Sequence, residues 1–194
     1  MTRYEFIISQ IVPEDMVMNI GCCGDDWEFE EAWNSHASLH QTISDHIGLG
    51  KLVGVDINER RIEQVRQMGY TVQKASAENL SELPQSYSEK FDVVVAGDVI
   101  EHLSAPGFFL ESVKRVLKPE GRLVLTTPNI YGFWFWFLYG VLKRTEPWPE
   151  HVCYYTPCTL RQMLKRHKWN IAKMQIGAYG NAGRRFRALK AIPE

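Results

Sequence analysis

The chain has 194 residues, 45% of them hydrophobic and 23% charged, with a formal net charge of -1. A domain of that size buries enough surface to fold without disulfide or metal staples. A net charge so near zero excludes global electrostatic steering toward nucleic acid.

Taken in chain order, Tyr4 to Ile11 reads as a short helix or an extended lead-in, closed by Pro13. Met16–Ile20 is an apolar run that stops at Gly21, as a buried parallel strand would. From Trp27 to His46 the pattern is mixed, with a helix from about Leu39 onward. Leu52–Asp56 is a second strand, ending in an acid. Ile62, Val65 and Met68 recur at helical spacing and make Glu59–Met68 an amphipathic helix, with Gly69 at its natural stop. Thr71–Lys74 is a third strand, and Phe91–Ala96, rich in β-branched residues, is a fourth. A helix from Ala105 or Pro106 to Leu117 follows, with proline suited to its first turn. Pro119-Glu120-Gly121 then turns into a fifth strand, Arg122–Thr127. A capped helix at Thr159–Leu164 and a strand at Ile171–Ile176 complete the readable pattern.

Strands alternating with helices at this spacing imply right-handed crossovers. The expected fold is therefore α/β: a single Rossmann-like domain over 1–194, its mainly parallel sheet covered by helices on both faces. The glycine-rich basic tail beyond Tyr179 does not clearly supply an antiparallel closing pair. A reduced C-terminal end is expected, or an edge covered by a partner chain. Nine basic residues lie between Arg161 and Lys190 with no acid among them. They could meet phosphate, acidic lipid or a partner, but a solvated helix face plus a loose tail is the preferred reading. Cys22, Cys23, Cys153 and Cys158 show no regular framework spacing, and no secretory signal is visible at the N-terminus, so a reduced, cytoplasmic protein is expected.

In sheets of this kind the ligand crevice lies beyond the carboxyl ends of the strands. Polar and glycine residues collect at those ends: Gly21 to Asp26, Asp56, Ser76 to Asn79, Gly97 to His102, and Thr127 to Asn129. A glycine directly after the first strand lets the backbone approach a ligand closely, which Gly21 and Gly24 can do. A carboxylate ending the second strand can accept both hydroxyls of a ribose, so Asp56 points to an adenosine-containing cofactor. Asp56 could instead cap the following helix, with Glu59 completing a capping box; Asn58 could cap equally well.

Asn19-Ile20-Gly21-Cys22-Cys23-Gly24-Asp25, Val53–Ile57, Phe91–Val95, Asp98-Val99-Ile100-Glu101-His102-Leu103, Leu117–Leu123 and Thr127-Pro128-Asn129 follow one another in a specific order. In that order the chain resembles the class I S-adenosylmethionine-dependent methyltransferases, and among them the group containing ubiquinone-type O-methyltransferases. The resemblance runs from about Met16 to Trp169 and implies S-adenosyl-L-methionine as cofactor. It places Gly21, with Asn19, Cys23 and Gly97 around it, under the methionine end. It places Asp56 and Ile57 at the ribose, and Ser76, Ala77 and Glu78 at the adenine. The first motif departs from the family pattern: the usual acid is Asn19, the second glycine Cys23 and the third Asp25. Cys23 adds volume where backbone and ligand should nearly touch, and Asn19 lacks the charge that would hold an ammonium group. Reshaped cofactor binding is one reading; a non-catalytic adenosyl-binding or scaffold domain that holds a partner is the other.

Histidine titrates near neutrality, so His102 at the crevice is the candidate general base for an acceptor hydroxyl. Asp98, Glu101 and His102 together resemble a divalent-cation set in that group, although many relatives resemble this chain there without a metal, and the metal-free role is the one preferred. His151, followed by Tyr155, resembles a histidine and aromatic pair that enters the substrate cavity; Asp98 and His151 join His102 as candidate catalytic residues. Segment 130–150 carries Tyr131–Tyr139, apolar on every side as a helix yet too short to span a bilayer. A substrate cover, a membrane or partner contact through 133–139, and a buried core helix all remain open for it. The expected activity is methyl transfer to oxygen, or less readily nitrogen, of a small or lipid-linked metabolite such as a saccharide. No nucleic-acid partner is expected, and a homo-oligomer is compatible with the pattern.

Overall fold

The computed structural model describes residues 2–24, 29–35, 38–130, 136–143, 150–179 and 184–193. The strands are β1 (Val17–Ile20), β2 (Leu52–Asp56), β3 (Val72–Lys74), β4 (Phe91–Gly97), β5 (Leu117–Pro128), β6 (Trp169–Tyr179) and β7 (Arg184–Pro193). The helices are α1 (Arg3–Ile8), α2 (Phe29–Asn34), α3 (Leu39–Ile47), α4 (Glu59–Gln67), α5 (Pro106–Val116) and α6 (Pro157–Arg166). Local chemistry sets their starts. Ser38 accepts from Gln41 N at α3, Asn58 from Arg61 N at α4, and Thr156 forms a capping box with Thr159 at α6, each meeting orphan donors of a first turn. Asn58, not Asp56, is thus the cap of α4; Glu59 turns outward to Lys74 at 2.9 Å.

One seven-stranded sheet forms in the order β3-β2-β1-β4-β5-β7-β6. The first five strands are parallel, and β7 runs antiparallel to both β5 and β6. The Rossmann-like mainly parallel sheet is as expected, but its C-terminal end is not reduced. The tail beyond Tyr179 returns as β7 and pairs with β5 from Leu123↔Ala191 to Pro128↔Phe186. Pro119–Gly121 lies within the long β5 as an irregularity, where the register against β4 jumps from Phe91↔Leu117 to Val93↔Arg122.

The alternation of β4 shows why both faces are covered. Val93 and Val95 pack with Phe6, Ile7, Ile43 and Ile47 from α1 and α3, while Val94 and Ala96 pack with Phe109, Leu110, Val113, Leu160 and Leu164 from α5 and α6. Successive side chains of a strand point to opposite faces, so a strand buried on both sides has no polar position to give. Beside this frame, a smaller cluster of Cys22, Cys23, Trp33, Ile62, Val65 and Val72 closes the end near β2 and β3.

Strand order reverses between β1 and β4, and that is where the fold opens a crevice. Gly54 on β2 supports its floor by lacking a side chain. A Cβ there would lie 2.6 Å from Cys22 Sγ and 3.0 Å from both His40 Cε1 and Val72 Cγ2. Gly54→Ala should therefore cost about 1–3 kcal/mol of stability through overpacking; a denaturant midpoint equal to the parent's would contradict this packing.

Candidate active site

A cavity of about 490 Å³ lies over the carboxyl ends of β1, β2 and β4. Every site residue expected from the sequence lines it: Asn19, Gly21, Cys23, Asp56 and Ile57 from the first two strand ends, Ser76, Ala77 and Glu78 after β3, and Gly97, Asp98, Glu101, His102 and His151 opposite. They arrive there in two groups with different electrostatics.

At the first end the backbone leaves β1 through Gly21, whose φ of +67° suits glycine and whose added Cβ would meet Val99 Cγ2 at 2.8 Å. Gly21 N–H donates to Val55 O at 2.8 Å. The next turn is tied to Asp56: Cys23 N donates to Oδ2 at 2.9 Å, and Ile57 N and Asn58 N donate to Oδ1 at 2.8 and 2.9 Å. A carboxylate has roughly four acceptor directions, so three donors hold this one rigid and leave one direction on Oδ2. Arg61 Nη1 fixes the far side of the turn through Gly24 O at 2.6 Å.

The side chains of Cys22 and Cys23 do not obstruct this turn as their volume suggests they should. Both are buried in the small apolar cluster, and Trp33 Nε1 donates to Cys23 O at 3.4 Å. Their sulfurs and an Asp56 oxygen lie within 4.8 Å of one another, a spacing that could suit a cation. Burial, however, pushes the Cys22 thiol well up and so keeps its proton on. Asn19 is buried, with Nδ2 at 3.2 Å from His40 Nδ1 and Oδ1 unpartnered. On the adjoining wall Ser76 Oγ accepts from Glu78 N at 3.2 Å, and the Glu78 carboxylate accepts from Ala105 N, latching this loop to the start of α5.

The opposite end departs from the expected grouping. Asp98 sits at φ +55° and is taken by an ion pair with Arg3 and by the Thr126 hydroxyl, which donates to it at 2.7 Å. Asp98 therefore does not join Glu101 and His102. His151 does: one ligand atom each of Glu101, His102 and His151 lies within 4.8 Å of the others, and the two imidazoles meet edge to face at 4.6 Å. The backbone makes this grouping, because Val152 N and Cys153 N both donate to Glu101 O at 2.9 and 3.2 Å. Glu101 is wholly buried; burial first, then the Asp98 charge, raises its pKa well above the ordinary carboxylate value. Thr127 donates to its Oε2 at 3.0 Å, while Oε1 has no partner.

Tyr155 is packed in the main core, and the hydroxyl of Tyr154 lies 3.0 Å from His151 Nδ1. Of the aromatic segment, 131–135 and 144–149 fall outside the described residues; Trp136–Val141 forms a single π-helical turn, with Val141 and Leu142 exposed. No helix among the described residues is long and apolar enough to cross a membrane.

A family model described as a methyltransferase domain matches residues 38–176. The chain belongs to that family. Among curated relatives, the ubiquinone biosynthesis O-methyltransferase of Cereibacter sphaeroides is 29% identical over 129 residues, covering 59% of this chain and 49% of the relative. The human mitochondrial enzyme of the same name is 43% identical over 95 residues, 45% of this chain and 25% of that one. The chain thus spans about half or less of the length of these relatives. A SAM-dependent methyltransferase from Aquifex aeolicus superposes with a TM-score of 0.67 at 17% identity, over 98% of this chain and 89% of that one. A magnesium protoporphyrin IX methyltransferase from Synechocystis, solved with bound SAH, gives 0.67 at 17% identity over 98% and 82%.

This methyltransferase domain therefore has the class I S-adenosylmethionine-dependent architecture that the motifs imply. The sequence did not indicate that α1 would wall the site. Arg3 and Tyr4 line the cavity, and Arg3 reaches Asp98 across a separation of 95 residues, a contact without any local signal. His40 behind Asn19 was hidden in the same way, since one histidine on an amphipathic helix reads as packing.

Proposed function

We propose that this methyltransferase domain transfers a methyl group from S-adenosylmethionine to oxygen, with nitrogen second, of a small or lipid-linked hydroxylated metabolite, a saccharide foremost. One observation carries the reading: a single cavity joins the Asp56 turn at one end to the His102–His151 pair at the other. The residues present fit the cofactor. Asp56 Oδ2 keeps a direction for one ribose hydroxyl, and a second could be held only if Cys23 N–H lets go. Gly21 permits the positive-φ turn that lines the cavity, and the unpartnered Asn19 oxygen suits an ammonium group. The bound cofactor supplies an electrophilic methyl carbon; the protein orients the acceptor and takes its proton.

His102 is the base in this reading, with His151 beside it to pass the proton on or to hold the acceptor. Burial, and then the Asp98 charge, raise the Glu101 pKa well above the ordinary carboxylate range, so a cation here would have to displace its proton. Glu101, His102 and His151 would be the ligands for a divalent cation, whose chemistry would be to lower the acceptor's pKa. Turnover measured with and without added magnesium or manganese separates that route from imidazole alone. Oxygen is favoured over nitrogen because the two curated relatives described above are named O-methyltransferases. Against the scaffold reading, Cys22 and Cys23 pack into the small apolar cluster.

Calorimetry with S-adenosylmethionine and S-adenosylhomocysteine tests the proposal; affinity weaker than millimolar for both would refute it. His102→Ala should lower turnover about 10²–10⁴-fold while cofactor affinity stays within about twofold. An undiminished rate in that variant would remove His102 as base.

A further inference from the structure

We infer that His40 is a positioning residue that accepts from the Asn19 amide nitrogen and so holds the amide with its oxygen toward the cationic amino group of the bound cofactor. The inference rests on the cofactor reading above and concerns His40, to which that reading gives no task.

An acid at the end of the first strand has two equivalent oxygens, so it presents an acceptor however it is turned. An amide has one acceptor end and one donor end. Replacing the acid by Asn19 therefore creates an orientation problem: turned the wrong way, an NH2 group would face an ammonium. Asn19 lies on β1 in register with Gly54 and Val95, buried on both sides. Its Nδ2 is 3.2 Å from His40 Nδ1, and its Oδ1 has no partner although the residue lines the cavity.

A contact between two nitrogens holds only if one of them is an acceptor. The amide nitrogen is a donor, so His40 must offer the lone pair of Nδ1 and carry its proton on Nε2. Burial favours that uncharged form strongly, lowering the His40 pKa to about 3. A lysine or arginine here would be donor-only and would draw the amide oxygen inward. A carboxylate would hold the NH2 group correctly but leave a buried charge beside β1. A neutral imidazole does the task without charge. Its ring is held by Trp33 at 6.0 Å and Tyr70 at 5.2 Å, and by the absence of a side chain at Gly54, where a Cβ would come to 3.0 Å from Cε1. Nε2 is buried without a partner, so either neutral tautomer leaves one ring nitrogen unmet. The ring alone does not choose between tautomers; the ammonium does, by favouring the amide oxygen outward.

The test compares S-adenosylhomocysteine with 5′-methylthioadenosine, which keeps the nucleoside thioether and lacks the amino-acid end. Calorimetry is run on the full chain as parent, His40→Leu, Asn19→Asp and the double variant. His40→Leu should weaken S-adenosylhomocysteine by about ten- to 150-fold, the range for one hydrogen bond to a charged group. It should leave methylthioadenosine within about twofold. In the Asn19→Asp background the His40→Leu change should have less than about a twofold effect, because a carboxylate has no wrong way round. Unchanged S-adenosylhomocysteine affinity in His40→Leu, equal losses for both ligands, or equal losses in both backgrounds would overturn the inference. If the parent binds neither ligand, the cofactor reading itself fails. Should His40→Leu not fold, nitrogen-15 spectra of the parent with S-adenosylhomocysteine decide: a neutral ring with its proton on Nε2 supports the inference. A proton on Nδ1, or an imidazolium at neutral pH, overturns it.

Discussion

Asp56→Ala should abolish measurable cofactor binding, a loss of at least about 100-fold, or about 2.7 kcal/mol. Two effects add. The substitution removes the one carboxylate at the second strand end, and with it the acceptor for a ribose hydroxyl. It also leaves Cys23 N, Ile57 N and Asn58 N without the oxygens that gather them, so the turn after β1 loses its tie to β2. Each unmet donor costs about 1–3 kcal/mol where water cannot reach it, and a turn that must be reordered on binding binds more weakly. Asp56→Asn keeps one oxygen and should fall between parent and alanine. Calorimetry with S-adenosylhomocysteine checks the order, with thermal unfolding run alongside to confirm that each variant is folded. Affinity unchanged in Asp56→Ala would place the ribose elsewhere.

The second large effect is acid sensitivity. His40 is buried and its pKa is lowered by burial from 6.5 to about 3. Its folded-state pKa thus lies below its unfolded one, so between those values the unfolded chain binds a proton that the folded chain refuses. Stability from this group is complete above about pH 6.5 and is lost as pH falls toward 3. The loss approaches about 1.4 kcal/mol per pH unit inside that window. From pH 7 to 4.5 the parent should lose about 2–3 kcal/mol more than His40→Leu, whatever the variant's stability at neutral pH. Urea unfolding at a series of pH values measures the difference. Parallel curves for the two proteins would mean that the ring is protonated, or reaches solvent, in the folded state.

How much of this was legible in the sequence depended on whether the controlling interaction was local. Strands β1, β2 and β4 announce themselves as short, mainly apolar runs because both of their faces are buried. The caps at Asn58 and Thr156 are also local, three residues from the donors they meet. By contrast, β7 has four basic residues among its ten, a composition that does not read as a central strand. It is one because β5 and β6 supply partners on both sides, and strand preference follows such context more than composition. At the site, Asp56, Gly21 and His102 could be found because strand ends are marked by changes in pattern. The diversion of Asp98 to Arg3 and the substitution of His151 for it beside Glu101 depend on contacts between distant segments. Nor could spacing reveal that the two adjacent thiols turn into the apolar cluster.

The position of β7 also bears on how the molecule comes into being on the ribosome. It is synthesised after β6 yet lies between β6 and β5 in the sheet. Until residues 184–193 have emerged from the exit tunnel, β5 has no neighbour on its outer side and the nascent polypeptide carries a bare row of amide and carbonyl groups. Any slowing of translation over that stretch would prolong the interval in which chaperones, or other newly made chains, can reach it.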